Sequence, residues 1–172
     1  MNQKLTARDI VRIALEVEQT GMESYRVMKS ATSDPELAKL LDYLANDEGD
    51  HVGIFSQMFR EVEMNPETMP DPSPEDQAYI DVIMKSVVFE GPQAGIRRAR
   101  AATTPIEVLS LALQFERDAM LFWLKLFGLV QEKDRVLVQR MIQQEEEHVR
   151  EIQAMLSARR AESGGIRVEE GV

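Results

Sequence analysis

The sequence predicts an all-α protein, an antiparallel four-helix bundle with a long helical connection between its second and third helices. Three observations carry this. Four long stretches repeat apolar residues at alternating spacings of three and four, the period of one helix face. No segment alternates apolar and polar residues at period two with β-branched side chains, so no strand is expected. Prolines 66, 70, 72 and 74 break the pattern once, near the middle. At 172 residues with 44% hydrophobic content, the chain is one domain with a sizeable core.

Taken in order, Thr6 is placed to N-cap a first helix running to about Ser30. The run Ser33-Asp34-Pro35-Glu36 opens a second, from about Pro35 to Val62, with proline in the first turn where a missing N–H costs nothing. Residues 63–74 form a loop. The apolar stretch 78–91 makes a helix before Gly91, and 92–102 another short one. Thr104, Pro105 and Glu107 combine an N-cap, a first-turn proline and a capping box, opening a third long helix that ends near Gly128. A fourth runs from about Lys133 to Ala161. Residues 1–161 are therefore one bundle containing a 63–104 excursion, and 162–172 are a flexible tail.

Composition excludes several function classes. The 20 basic and 30 acidic residues give a formal net charge of −10, which repels nucleic acid and anionic lipid. With no cysteine, disulfides, thiolate metal sites and iron–sulfur clusters are out of reach, and any bound metal must take oxygen and nitrogen ligands. The opening MNQKLTARDIVRIALEVEQ carries charges throughout, and no stretch reaches the roughly 20 apolar residues of a membrane span. The expectation is a soluble cytoplasmic protein.

Each apolar stripe is interrupted by charge. Helix two gives Leu37, Leu41, Leu44, Glu48, His51, Phe55, Met58, and helix four gives Val138, Met141, Glu145, His148, Ile152, Met155. Helix one gives Val11, Ala14, Glu18, Gly21, Tyr25, Met28, and helix three gives Leu109, Ala112, Glu116, Ala119, Trp123, Leu126. Charge on an inward stripe is costly unless paired or metal-bound. The chain also repeats itself: ALEVEQTGMESY (14–25) overlays ALQFERDAMLFW (112–123), and DEGDHV (47–52) overlays QEEEHV (144–149). Both histidines stand three residues after a glutamate, which on a helix offers a carboxylate and an imidazole to one point. Two such pairs plus one glutamate from each other helix is the arrangement of bundle di-iron and di-manganese proteins. Four carboxylates and two divalent cations sum to a neutral buried centre. Without metal, some of those carboxylates must take up protons.

On Glu18 with Tyr25, EGDH (48–51), Glu116 and EEEH (145–148), the chain resembles the ferritin-like superfamily and, within it, the rubrerythrin family, over roughly 8–158. The resemblance implies a ferritin-like four-helix bundle with Glu18, Glu48, Glu116 and Glu145 as carboxylate ligands and His51 and His148 as imidazole ligands. It further implies that Glu48 and Glu145 bridge two iron ions, each histidine capping one. The activity it implies is reduction of peroxide or dioxygen at the di-iron centre, or iron oxidation for storage in an oligomeric shell. Full-length rubrerythrins carry a four-cysteine rubredoxin-like domain; this chain has no cysteine, so electrons must come from an external donor. Their extra glutamate one turn after the third-helix ligand is Ala119 here, which brings the six-ligand set nearer that of bacterioferritin-like proteins. The haem-binding methionine of bacterioferritins corresponds to Gly49, so no haem is expected. Zinc or manganese fits the same donors, since nothing in them rejects zinc. A homo-oligomer, a dimer first, is expected.

Tyr25 is read either as core filling or as a hydrogen-bond partner of a ligand carboxylate or electron relay, and Trp123 as core. Asp47, Asp50, Glu16, Glu23, Glu146 and Glu147 lie off the stripes and read as solvated charge, as do the arginines of RRAR (97–100).

Overall fold

A computed structural model describes residues 6–83, 92–130 and 132–165. These form six α-helices and one 3-10 turn, with no strand among the described residues: α1 (Ala7–Ala31), α2 (Pro35–Met64), a turn at Pro66–Thr68, α3 (Pro74–Ile83), α4 (Pro92–Ala101), α5 (Pro105–Leu129) and α6 (Glu132–Gly165). The four long helices are the predicted ones.

Their starts are set by the expected caps. Thr6 accepts from the Asp9 N–H while Asp9 reaches back to the Thr6 N–H. Asp34 accepts from the N–H groups of Glu36 and Leu37 ahead of Pro35. Thr104 and Glu107 close the same reciprocal box around Pro105. Each cap satisfies N–H groups that have no partner inside the helix and contributes about 1 kcal/mol. Residues 32–34 fold α2 back along α1, and the short link after Leu129 folds α6 back along α5, giving two antiparallel hairpins.

The four stripes turn inward as expected. All their members are buried except Gly21 and Met155, which are half-buried. Phe55 of α2 stacks on Trp123 of α5 at 4.9 Å between ring centroids, joining the hairpins. Fully burying a large apolar side chain is worth roughly 1.5–3 kcal/mol, so this interior dominates stability.

Several boundaries differ from expectation, among them the start of α3 at Pro74, four residues before the expected helix over 78–91. Helix α6 continues past Ala161 to Gly165. Arg159 explains it: its guanidinium reaches Asp34 at 2.8 Å and Glu36 at 3.0 Å, tying the last turns of α6 to the start of α2, and it also pairs with Glu162 at 3.2 Å. Residues 166–172 of the expected tail, and 84–91 of the expected helix before Gly91, lie outside the described residues. Within 63–74, α2 extends to Met64 and Pro66 starts the short turn.

The excursion packs back on the bundle. Helix α3 lies on α5, with Ile80 fully buried and Asp76 paired with Lys125. Helix α4 lies on α1, presenting Ala94, Gly95, Ile96 and Ala99 inward and its arginines outward. At Gly95 the approach is so close that an added Cβ would stand 2.8 Å from Thr20 Cγ2. Only a residue without a side chain fits there.

Candidate metal centre

The inward register of the four long helices brings Glu18 of α1, Glu48 and His51 of α2, Glu116 of α5, and Glu145 and His148 of α6 together in the bundle interior. All six are buried. They form two groups of four, Glu18–Glu48–His51–Glu145 and Glu48–Glu116–Glu145–His148, in each of which one donor atom per residue lies within 4.8 Å of the others. Glu48 and Glu145 belong to both groups. His51 Nδ1 stands 3.4 Å from Glu18 Oε2, 3.6 Å from Glu48 Oε2 and 3.5 Å from Glu145 Oε1. His148 Nδ1 stands 3.3 Å from Glu145 Oε2 and 3.7 Å from Glu116 Oε2.

Burial pushes the carboxyls of Glu18, Glu48 and Glu145 well above the usual range, reinforced by the neighbouring carboxylates. This is the proton uptake expected of a metal-free cluster. Glu116 goes the other way: burial raises it too, but hydrogen bonding from His148, Glu145 and Tyr25 outweighs that and holds it below the usual range. For His148, burial opposes the charged ring, yet Glu116 and Glu145 overcome this and push it up to about 12. His51 is raised in the same way, burial being outweighed chiefly by Glu48. The histidine protons thus supply positive charge that the carboxylates demand.

The donor set fits divalent metal. Glu18 Oε1, Glu48 Oε2, His51 Nδ1 and Glu145 Oε1, all in the first group, are buried polar atoms with no hydrogen-bond partner. An unpaired buried polar group costs roughly 1–3 kcal/mol, and four converging in one place point to a ligand that would satisfy them together. Carboxylate oxygen and imidazole nitrogen suit iron, manganese and zinc.

Each histidine is also held from outside, and each time by the opposite hairpin. His51 Nε2 lies 3.4 Å from Gln144 Oε1 and His148 Nε2 lies 3.0 Å from Asp47 Oδ2. Such contacts orient the ring and leave Nδ1 facing the centre. Asp47 is therefore not the solvated charge expected. It is half-buried and hydrogen-bonded to His148, whose ring meets that of Tyr43 in a T-shaped contact at 5.5 Å between centroids. The sequence carried a signal for this pair, because Asp47 and Gln144 occupy the same place in the repeat. The other off-stripe acids, Asp50, Glu16, Glu23, Glu146 and Glu147, are exposed as expected.

The structure puts the Tyr25 hydroxyl 2.5 Å from Glu116 Oε1, to which it donates. Burial and the Glu116 charge raise its pKa, so the phenol keeps its proton. Trp123, its counterpart in the repeat, makes no such bond: its Nε1 has no partner. Beside the carboxylates, Gly21, Tyr25, Phe115 and Ala119 line a cavity of about 10 Å³, room for about one water-sized molecule. A Cβ at Gly21 would stand 3.2 Å from Glu48 Oε1, so the glycine makes space for that carboxylate.

The rubrerythrin family model matches residues 9–90, the stretch holding Glu18, Tyr25, Glu48 and His51. A solved structure from Thermotoga maritima, assigned as a ferritin-like diiron-carboxylate protein, aligns at 24% identity over 91% of this chain and 98% of its own, with a TM-score of 0.66. That likeness shows the ferritin-like fold. The chain matches no curated protein.

Proposed function

We propose that this chain, a ferritin-like protein of rubrerythrin type, holds two iron ions and uses them as an oxidoreductase that reduces peroxide or dioxygen with electrons from an external donor. The observation that carries the reading is the pair of four-residue groups sharing Glu48 and Glu145, with unpartnered donor atoms turned to one point. Glu18 and His51 would complete one metal position and Glu116 and His148 the other. Two divalent ions balance four carboxylates and release the histidine protons. Zinc or manganese would occupy the same donors.

When bound, two ferrous ions supply the two electrons that reduction of hydrogen peroxide to water consumes. The protein's part is geometry and exclusion of water. Gly21 and Ala119 leave a water-sized space beside the carboxylates, next to where a small oxidant would approach. Tyr25 holds a proton at Glu116 Oε1, within reach of that cavity. Phe115, Phe55 and Trp123 keep the surroundings apolar. With no thiolate of its own, the chain takes electrons from a separate donor. No helix among the described residues is long and apolar enough to cross a membrane.

A second reading, iron oxidation for storage, is favoured by Ala119, which leaves six ligands rather than seven. Metal analysis of protein purified without added iron, compared with Glu48→Ala and His148→Ala, tests the centre: both variants should lose metal, and unchanged content would overturn it. Peroxide consumption by a dimer supports the oxidoreductase, whereas a large hollow oligomer that accumulates ferric iron supports storage.

A further inference from the structure

We propose that the two halves of the centre are unequal, and that Asp47 makes the Glu116–His148 half the tighter metal position. This rests on the metal-centre reading above and goes beyond it to the order in which the ions load.

The basis is a place where the internal repeat is broken. Asp47 and Gln144 each stand one residue before a shared glutamate, and each accepts from the Nε2 of the histidine on the other hairpin. One is a carboxylate at 3.0 Å and the other a neutral amide at 3.4 Å. A carboxylate accepting the outer N–H raises electron density at the inner nitrogen and fixes the ring. An amide oxygen does less of both. The Tyr43 ring packs on His148 as well, in a T-shaped contact at 5.5 Å between centroids.

The second break falls on the same side. Tyr25 anchors Glu116 through Oε1, leaving Oε2, the oxygen that faces His148 Nδ1, for an ion. Glu18 has no such anchor: its Oε1 is without a partner, as is Nε1 of Trp123, the residue that occupies Tyr25's place in the repeat. The Glu116–His148 ligands are thus oriented before metal arrives. Those of the Glu18–His51 half must be ordered by the ion, at a cost in affinity.

Titration of the metal-free full chain with Co²⁺, followed by calorimetry, visible absorption and paramagnetic NMR of the histidine rings, tests this. Two steps are expected, with His148 perturbed in the first and His51 in the second. Asp47→Asn should weaken the first step roughly 10–100-fold and leave the second unchanged, and Asp47→Glu should restore part of the loss. Gln144→Glu should tighten the second step and bring the two together, a result that a purely structural role for these positions would not produce. First occupancy at His51, or an Asp47→Asn isotherm identical to the parent's, overturns the inequality while leaving the metal centre standing. Failure of the parent chain to take up Co²⁺ overturns the centre itself.

Discussion

The hydroxyl of Tyr25, on the first hairpin, donates to Glu116 Oε1, on the second, across 2.5 Å in a fully buried setting. It is a neutral donor on a carboxylate whose proton affinity the surroundings have lowered. Hydrogen bonds to charged groups contribute roughly 1.5–3 kcal/mol. Tyr25→Phe should therefore lower the stability of the metal-free protein by about that amount in urea denaturation. An unchanged midpoint would show that the bond has no net weight.

Glu18 and Glu48 differ in how many metal positions they serve. Glu18 belongs to one group of four and Glu48 to both. Glu18→Ala should reduce binding from two ions to one per chain, while Glu48→Ala should impair both. Equilibrium dialysis with Mn²⁺ distinguishes these outcomes, and equal losses in the two variants would contradict the shared role of Glu48.

Stability of the metal-free protein should fall as pH rises. Glu18, Glu48 and Glu145 have folded pKa values above their unfolded ones, so the folded state binds the extra protons. The stability they lend is fully present below the ordinary glutamate value and is lost as pH climbs toward their raised values. His51 and His148 act in the same direction, with full effect below the ordinary histidine value of about 6.5 and loss through the folded values, about 12 for His148. Glu116, held low, opposes them. Metal reverses the trend, because ions displace those protons and bind more tightly at higher pH. Thermal melts from about pH 5 to about pH 8, with chelator and with Mn²⁺, should slope in opposite directions.

Two glycines should respond differently to the same change. Gly95→Ala pushes a methyl to 2.8 Å from Thr20 Cγ2, a branched side chain that is buried between helices. Overpacking of this kind costs about 1–3 kcal/mol, more than the up to ~1 kcal/mol that alanine returns in helix propensity. Gly21→Ala meets Glu48 Oε1 at 3.2 Å, the end of a longer side chain that metal-free protein lets swing aside. The metal-free Gly21→Ala protein should melt no lower than its parent, yet bind metal more weakly. Melting and dialysis together separate the two effects.

The helices and the six clustered side chains were legible because each leaves a mark along one strip of sequence: a cap before a proline, or a charge on an apolar stripe. Asp47 was not read because its job lies across the molecule. It sits one position off the inward face of α2 and becomes meaningful only once His148, more than a hundred residues later, is seen to reach it. The end of α6 was missed for the same reason, since Arg159 is anchored by Asp34 and Glu36 at the start of α2. The packing of α4 on α1 rests on the near-contact at Gly95, and a lone glycine inside a short helix does not announce its neighbour.

Each group of four draws its last carboxylate from the opposite hairpin, and each histidine is steadied by a residue of the opposite hairpin. One hairpin of this design, set against a copy of itself about a twofold axis, would close a complete centre. The chain has the build of a homodimer joined into one polypeptide. In a true homodimer, positions 47 and 144 would have to be the same residue. Covalent joining is what frees them to be aspartate and glutamine.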